Sequence, residues 1–317
     1  MPPQTIQEAL TSQVPAFVLD VNASIRPKLV RTWMMVDPKD VKRWQDFNLT
    51  NLRNAYRHIF DLPCPTNPVS DENRHFVIQT LDELKQHGIE TLYHLLKCPL
   101  QHGIPKLKES VSCSTSEVLC DFKAPATQVD WIWGVFYAKD KTNLVVSCSR
   151  LSNTFTSKDL QQKGPDAIYT LRQLATYAAL GQTRYGFILT DQEVVVVRFH
   201  KSCRDVEQYM AKWEAIPWKA SGRDTLTAPL AVFSLILMSL DDNQRHIVLD
   251  SKFLRLGGWT PGIPSPGMFF LSHRFLMRYL DKVLDGIRYY GKPKPRMNER
   301  IRRSGVYIFD RAFRGQP

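Results

Sequence analysis

The sequence lacks the signatures that identify several common classes of protein. None of its six cysteines forms a Cys-x-x-Cys pair, so the closely spaced ligands of a structural zinc site are missing. The longest apolar run, from Ala228 to Leu240, is too short to span a bilayer and contains Pro229. The N-terminal residues have neither the basic start nor the apolar stretch of a secretory signal. We therefore expect no membrane association and a reducing intracellular compartment, either the nucleus or the cytoplasm.

Several catalytic motifs are missing as well. The chain has no Gly-rich phosphate-binding loop, no Gly-x-Ser-x-Gly elbow and no readable Cys–His nucleophile pair. Its composition is otherwise that of a folded protein, with 43% hydrophobic and 11% aromatic residues. A length of 317 residues allows one large domain or two modest ones.

Acidic residues are scarce toward the C-terminal end. The stretch from His273 to Pro317 contains twelve Lys or Arg against four Asp or Glu, which gives +8 of the net charge of +11. A basic segment on a nearly neutral body favours a polyanionic partner, although a solvated tail or a nuclear import signal has the same composition. Tyr289, Tyr290 and Tyr307 lie among these charges and would suit stacking on unpaired bases. The residues that we predict to bind nucleic acid are Lys292, Lys294, Arg296, Arg300, Arg302 and Arg303.

The spacing of apolar residues predicts an α/β (or α+β) protein in which a central mixed sheet lies between helical N- and C-terminal parts. The predicted divisions are an irregular N-terminus (1–35), a helical part (36–110), an α/β core (111–215), a second helical part (216–290) and a basic tail (291–317). The predicted helices are 37–59, 70–88, 206–213, 229–240 and 271–290, with a shorter helical turn at 90–96. The predicted strands are 117–123, 128–137, 144–151 and a pair that ends at His200.

The segment from Leu171 to Phe199 is the most informative part of the chain. It predicts a helix that carries Gln173 and Tyr177, followed by two strands joined at Asp191-Gln192. Side chains four residues apart share one face of a helix, so the amide and the phenol should point at the same place.

Antiparallel strands, a helix with Gln-x-x-x-Tyr and a following hairpin resemble the core of the PD-(D/E)XK nuclease superfamily. The resemblance is nearest to the RecB-like branch and related domains of fungal genomes, and it covers roughly Asp71 to His200. It implies a restriction-endonuclease-like sheet in which an acid ends one strand and a (D/E)-x-K triplet lies on the strand beside it. In that family the carboxylates hold Mg²⁺, the metal polarises the phosphate and the Lys aids the attacking water. By the same resemblance, Gln173 and Tyr177 would position the substrate.

Two placements of the acidic residues compete. In the first, Asp130 is the lone acid and the partner strand is Leu144 to Arg150, where Ser147 and Ser149 stand at the positions of the acid and the Lys. Hydroxyl groups do not replace the charge of a carboxylate, so this site would be dead or weakened. Glu72 on a preceding helix would be a further, loosely matching acid.

In the second placement, Asp121-Phe122-Lys123 is itself the triplet. A turn at Pro125-Ala126 would place Asp121 opposite Asp130, with Lys123 on the same face of the hairpin. Asp121 and Asp130 would then bind the metal, although the acid now follows the triplet in the chain. A third possibility is that neither placement holds. Asp-x-Lys is also a common surface pattern of a strand, in which Lys123 would form an ordinary cross-strand pair with Asp130.

We therefore expect a nucleic-acid-binding protein with a nuclease-like core that is a Mg²⁺-dependent endonuclease with a degenerate site. The alternative is a catalytically inactive interaction module that has kept the fold and binds a protein partner. The departure at Ser147 and Ser149 favours this alternative.

Overall fold

The computed structural model of the protein describes residues 4–20, 22–23, 34–65, 75–103, 143–202, 208–240, 242–249 and 256. It also describes the backbone of short strands between residues 111 and 142. The predicted helix 271–290 and the basic tail lie outside the described residues.

Strands are found along the whole described part of the chain. They are β1 (Gln4–Thr5), β2 (Ala16–Leu19), β3 (Met35–Arg43), β4 (Pro63–Cys64), β5 (His75–Ile78), β6 (Val111–Thr115), β7 (Val118–Leu119), β8 (Thr127–Gln128), β9 (Trp131–Tyr137), β10 (Asp140–Ser149), β11 (Tyr185–Leu189), β12 (Glu193–Lys201) and β13 (Gln208–Pro217).

Helices alternate with these strands. They are α1 (Ile6–Leu10), α2 (Leu49–Phe60), α3 (Leu81–Gly103), α4 (Ser157–Gln161), α5 (Pro165–Leu180), α6 (Ala228–Ser239) and α7 (Asp242–Arg245). Among the described residues, no helix combines the length and the apolar character needed to cross a membrane.

Seven strands form one mixed sheet in the order β3-β13-β12-β11-β10-β9-β6. The pairs β10–β11 and β13–β3 are parallel, and the other neighbours are antiparallel. Helix α5 connects the parallel strands β10 and β11, as a parallel pair requires a crossover. The α/β class with a central mixed sheet flanked by helices is therefore confirmed.

Both faces of the sheet are buried. On β12, Val195, Val197 and Phe199 belong to the core that contains the apolar residues of α5. Val194 and Val196 belong to a second core that contains the apolar residues of α3 and α6. Successive side chains of a strand point to opposite faces, so a strand covered on both sides needs a continuous apolar run. This requirement explains the valine run of β12.

The hairpins and helices of the central part were predicted from the sequence, and the structure contains them. The hairpin β9–β10, the helix α5, the hairpin β11–β12 and the buried helix α6 all lie where the apolar pattern places them. Pro165 occupies the first turn of α5 directly after the N-cap Gly164, a position where the missing N–H of proline costs no hydrogen bond. Thr227 caps α6 by accepting from the backbone N–H of Leu230.

Three predicted helices are wrong in part or entirely. The first half of the predicted helix 37–59 is the strand β3, and only α2 is helical. The predicted helix 206–213 overlaps the strand β13, whose alternate residues Tyr209, Ala211 and Trp213 pack on the α5 side of the sheet. The N-terminal helix expected from residue 70 begins at Leu81 and runs through Pro99, absorbing the predicted turn 90–96. In each case tertiary pairing or packing overrides the local pattern.

Because β3 pairs with β13, the segment 36–110 is not purely helical and contributes an edge strand to the main sheet. The predicted boundary at residue 111 therefore does not enclose the whole sheet.

Gly186 on β11 provides a test of the packing between α5 and the sheet. A Cβ atom at this position would lie 2.9 Å from the carbonyl oxygen of Val146 and 3.1 Å from Leu174 on α5. We expect Gly186→Ala to lower the free energy of unfolding by about 1–3 kcal/mol, because β11 must move away from β10 and α5 to make room for the methyl group. Urea denaturation measures this loss. Gly164→Ala is the control, since its Cβ would meet no atom closer than 3.5 Å, and an equal loss there would contradict the explanation.

Candidate functional site

The first expected site lies at the hairpin β9–β10. In the register of this hairpin Ser147 is opposite Trp131, the residue that directly follows Asp130 in the sequence. Asp130 itself lies outside the described residues, so its predicted role stays a prediction. Glu72 also lies outside them.

Alternate residues of strand β10 pack in different cores on the two sides of the sheet. Val145 packs in the core of α3 and α6, whereas Val146 and Cys148 pack in the core of α5. Because side chains alternate along a strand, Ser147 and Ser149 share the face of Val145. Both serines are fully buried. The positions that the sequence analysis assigned to the acid and the Lys therefore lie on the face of the sheet opposite to α5.

Gln173 and Tyr177 lie on α5, on the other side of the sheet. The prediction that their polar groups meet is confirmed, since Gln173 Nε2 donates a hydrogen bond to Tyr177 Oη at 2.5 Å. Both side chains are almost completely buried, with 3% and 1% of their surface exposed. In this structure they face the interior, so any effect of theirs on a substrate must pass through a neighbouring group.

That neighbour is Arg150, which directly follows β10. Its Nη2 donates to Gln173 Oε1, and its Nη1 donates to the Ser149 carbonyl oxygen at 2.7 Å. The backbone N–H of Arg150 donates to the carbonyl oxygen of Leu189 on β11, which fixes the end of β10 against its parallel neighbour. A buried chain of three polar side chains, Arg150–Gln173–Tyr177, thus connects the end of β10 with the middle of α5.

The described hydrogen bonds of the Arg150 guanidinium group go to uncharged acceptors. Only 4% of the residue is exposed, and Nε has no hydrogen-bond partner. Among the described residues, no carboxylate accepts a hydrogen bond from the guanidinium group. Burial of a charge is costly without polar partners, so the hydrogen bonds to the Gln173 and Ser149 oxygen atoms help to stabilise the guanidinium group in the interior.

Sequence reasoning did not identify Arg150 because it followed the alternation of β10 that contains Ser147 and Ser149. Side chains alternate along the strand, so Cys148 and Arg150 lie on the side of the sheet that α5 covers. Arg150 contacts Gln173 of α5 there. Val146 packs on the same face of β10 as Cys148, so the position of this valine could have indicated which alternation faces α5. Because β10 is buried on both sides, however, Val145 on the other face is equally apolar, and the sequence does not distinguish the two faces.

Two carboxylates of the β11–β12 hairpin hold the connection that follows β10. Asp191 accepts hydrogen bonds from the backbone N–H and the hydroxyl of Ser152, at 2.7 and 2.6 Å. Glu193 accepts from the backbone N–H and the hydroxyl of Ser157 at 2.6 and 2.8 Å, at the start of α4. Asp191 is 2% exposed and both of its oxygen atoms accept hydrogen bonds from Ser152, which gives it a structural role.

Substitution of Asp191 tests this clamp. Asp191→Asn keeps the shape of the side chain but leaves one acceptor oxygen for two donors. We expect the free energy of unfolding to fall by about 1–3 kcal/mol, because a buried donor loses its partner. Asp166→Asn on the exposed first turn of α5 is the matched control, and we expect it to change stability by less than about 0.5 kcal/mol. Equal effects of the two substitutions in chemical denaturation would refute the clamp.

The second expected placement requires a register that the described strands do not have. To bring Asp121 opposite Asp130, the hairpin would have to pair Leu119 with residue 132. Instead Leu119 pairs with Thr127, five residues away. Asp121, Lys123 and Asp130 themselves lie outside the described residues.

A Mg²⁺ ion is implied by the resemblance to nucleases. Cys148 and Arg150 provide a thiol and a guanidinium group where that ion would need oxygen ligands, so they do not fit it. Within the described part of the chain, no group of three His, Cys, Asp or Glu side chains lies close enough to hold a metal. The predicted ligands Asp121 and Asp130, and the six basic residues of the tail, lie outside that part.

No family model matches the sequence, and no curated protein matches it.

Proposed function

We propose that the chain is a nucleic-acid-binding protein with a PD-(D/E)XK nuclease-like core. The observation that carries this proposal is the chain Arg150–Gln173–Tyr177, which joins the end of β10 to the helix that follows it. The order of elements also supports it. An antiparallel group β6–β9–β10 is followed by the crossover helix α5 and by β11, parallel to β10.

The basic segment supplies the second argument. Of the net charge of +11, +8 lies between His273 and Pro317. Lysine and arginine contacts to phosphates provide most of the sequence-independent affinity for nucleic acid. The proposal thus assigns binding to the tail and the nuclease-like architecture to the core.

A catalytically inactive interaction module with the same core is the second candidate, and the occupants of β10 favour it. Between residues 147 and 150 neither face offers an acid and a Lys, since Cys148 and Arg150 lie toward α5 and Ser147 and Ser149 lie on the other face. A thiol and a guanidinium group do not bind Mg²⁺. An active version would need metal ligands outside the described residues, such as Asp130, because the pairing of Leu119 with Thr127 does not place Asp121 and Lys123 opposite it.

A cleavage assay separates the two candidates. The purified chain is incubated with labelled single- and double-stranded DNA and RNA in Mg²⁺, Mn²⁺ or EDTA. The occupants of β10 lead us to expect binding without cleavage under every condition. Metal-dependent cleavage that disappears in Asp130→Asn but persists in the control Asp166→Asn would establish the endonuclease instead.

Neutralising the tail tests its role in binding. We expect replacement of Lys292, Lys294, Arg296, Arg300, Arg302 and Arg303 by Gln to weaken binding strongly at about 50 mM salt, where charges are least screened. The slope of log K against log[salt] should become less negative by roughly 0.9 for each residue that contacts a phosphate of duplex DNA. Fluorescence anisotropy at several salt concentrations measures both quantities.

The matched control removes the same charge from elsewhere on the surface. It replaces six exposed cations of the described part by Gln, namely Lys42, Arg57, Lys97, Lys158, Lys201 and Lys219. An equal loss of affinity in the two variants would show that net charge alone governs binding. Unchanged affinity in the tail variant would remove the tail from the account.

A further inference from the structure

Two cysteines far apart in sequence meet at the edge of the larger core. Cys64 lies in β4, which pairs with β1, and Cys98 lies in α3 just before Pro99. Their Sγ atoms are 3.4 Å apart, although 34 residues separate them in the chain. A disulfide bond measures about 2.05 Å, so the two sulfurs need to approach by roughly 1.4 Å to form one.

The two thiols differ in their access to solvent. Cys64 is fully buried among the apolar residues of the core, whereas Cys98 is partly exposed. Cys98 also donates to the carbonyl oxygen of Pro65 at 3.9 Å, which places it beside the backbone that follows β4. Burial, together with the hydrogen bond to Cys98, raises the pKa of the Cys64 thiol to about 12. An oxidant therefore reaches Cys98 first, and Cys64 remains a protonated thiol next to it.

We propose that Cys64 and Cys98 are a redox modification site, at which a hydroperoxide converts the two thiols into a reversible intramolecular disulfide. The Cys98 thiolate attacks a peroxide oxygen, the O–O bond breaks, and Cys98 becomes a sulfenic acid. The Cys64 sulfur then attacks the Cys98 sulfur, the S–O bond breaks, and the leaving hydroxide takes up the Cys64 proton to form water. The two thiols lose two electrons in total, and hydrogen peroxide is reduced to two molecules of water.

The disulfide would tie the segment after α2 to α3. Cross-linking residues that are distant in sequence restricts the unfolded chain, so the oxidised protein should be the more stable form. A disulfide in a reducing compartment is transient, and a thiol reductant would reverse it. The site is independent of the nucleic-acid proposal, since it involves neither Arg150 nor the tail.

Peptide mapping of the full chain tests the proposal. The reduced protein is treated with increasing hydrogen peroxide, alkylated and digested with trypsin without a reductant. Cys64 lies in the peptide 58–74 and Cys98 in the peptide 98–106. We expect these two peptides to appear as one linked species that is two hydrogen atoms lighter than their sum. Dithiothreitol should restore the separate peptides, and oxidation should raise Tm by several degrees.

Two variants and one condition serve as controls. Cys98→Ala, at the less buried position, should abolish both the link and the increase in Tm, while Cys148→Ala in β10 should retain them. In the chain unfolded by urea, the Cys64–Cys98 link should form no more often than links to other cysteines, because the two thiols are no longer held close together. The proposal is overturned if no link forms at any peroxide dose, if Cys64 or Cys98 pairs mainly with another cysteine, or if the yield is equal in the unfolded chain.

Discussion

The central sheet is buried on both faces, and this constraint decides where each polar group of the core can go. Helix α5 covers one face, while α3 and α6 cover the other. Most side chains in the middle of β10, β11 and β12 are therefore apolar, because a buried polar group is costly unless it finds a partner inside the protein. Fully burying one valine or leucine contributes about 1.5–3 kcal/mol, so the sheet and its helices form one stable unit.

Polar side chains are consequently concentrated where the strands end. Arg150 follows the last residue of β10 and reaches Gln173, and Asp191 in the adjacent hairpin binds Ser152. The carboxyl ends of the parallel strands β10 and β11 thus carry a cation and a carboxylate with different partners. Arg150 donates hydrogen bonds to the uncharged oxygen atoms of Gln173 and Ser149, whereas Asp191 binds Ser152 in the connection that follows β10. In open α/β sheets, such ends are the usual place for a ligand, and among the described residues the Arg150 guanidinium donates only to uncharged oxygen atoms there.

This distribution of charge bears directly on the proposed function. A hydrolytic metal site needs clustered oxygen ligands, but the face of β10 toward α5 carries a thiol and a guanidinium group. A nuclease-like arrangement of strands and helix can persist without the site, because the strands are held by apolar packing and the polar chain is held by hydrogen bonds. The same separation of fold from chemistry allows a binding role to reside in the basic C-terminal segment of the sequence.

The sequence by itself determined the elements whose pattern is local. The hairpins β9–β10 and β11–β12, the helix α5 with Gln173 and Tyr177 on one face, and the apolar helix α6 all follow from periodicity, caps and turn residues. The tertiary structure alone decided the strands β3 and β13: β3 pairs with the sequence-distant β13, and β13 lies between β3 and β12 in the sheet. It also decided which alternation of β10 faces α5, and hence that Arg150, and not Ser147 or Ser149, joins Gln173. The physical reason is that a strand buried on both sides has no polar face, so its orientation depends on which helix packs on which side.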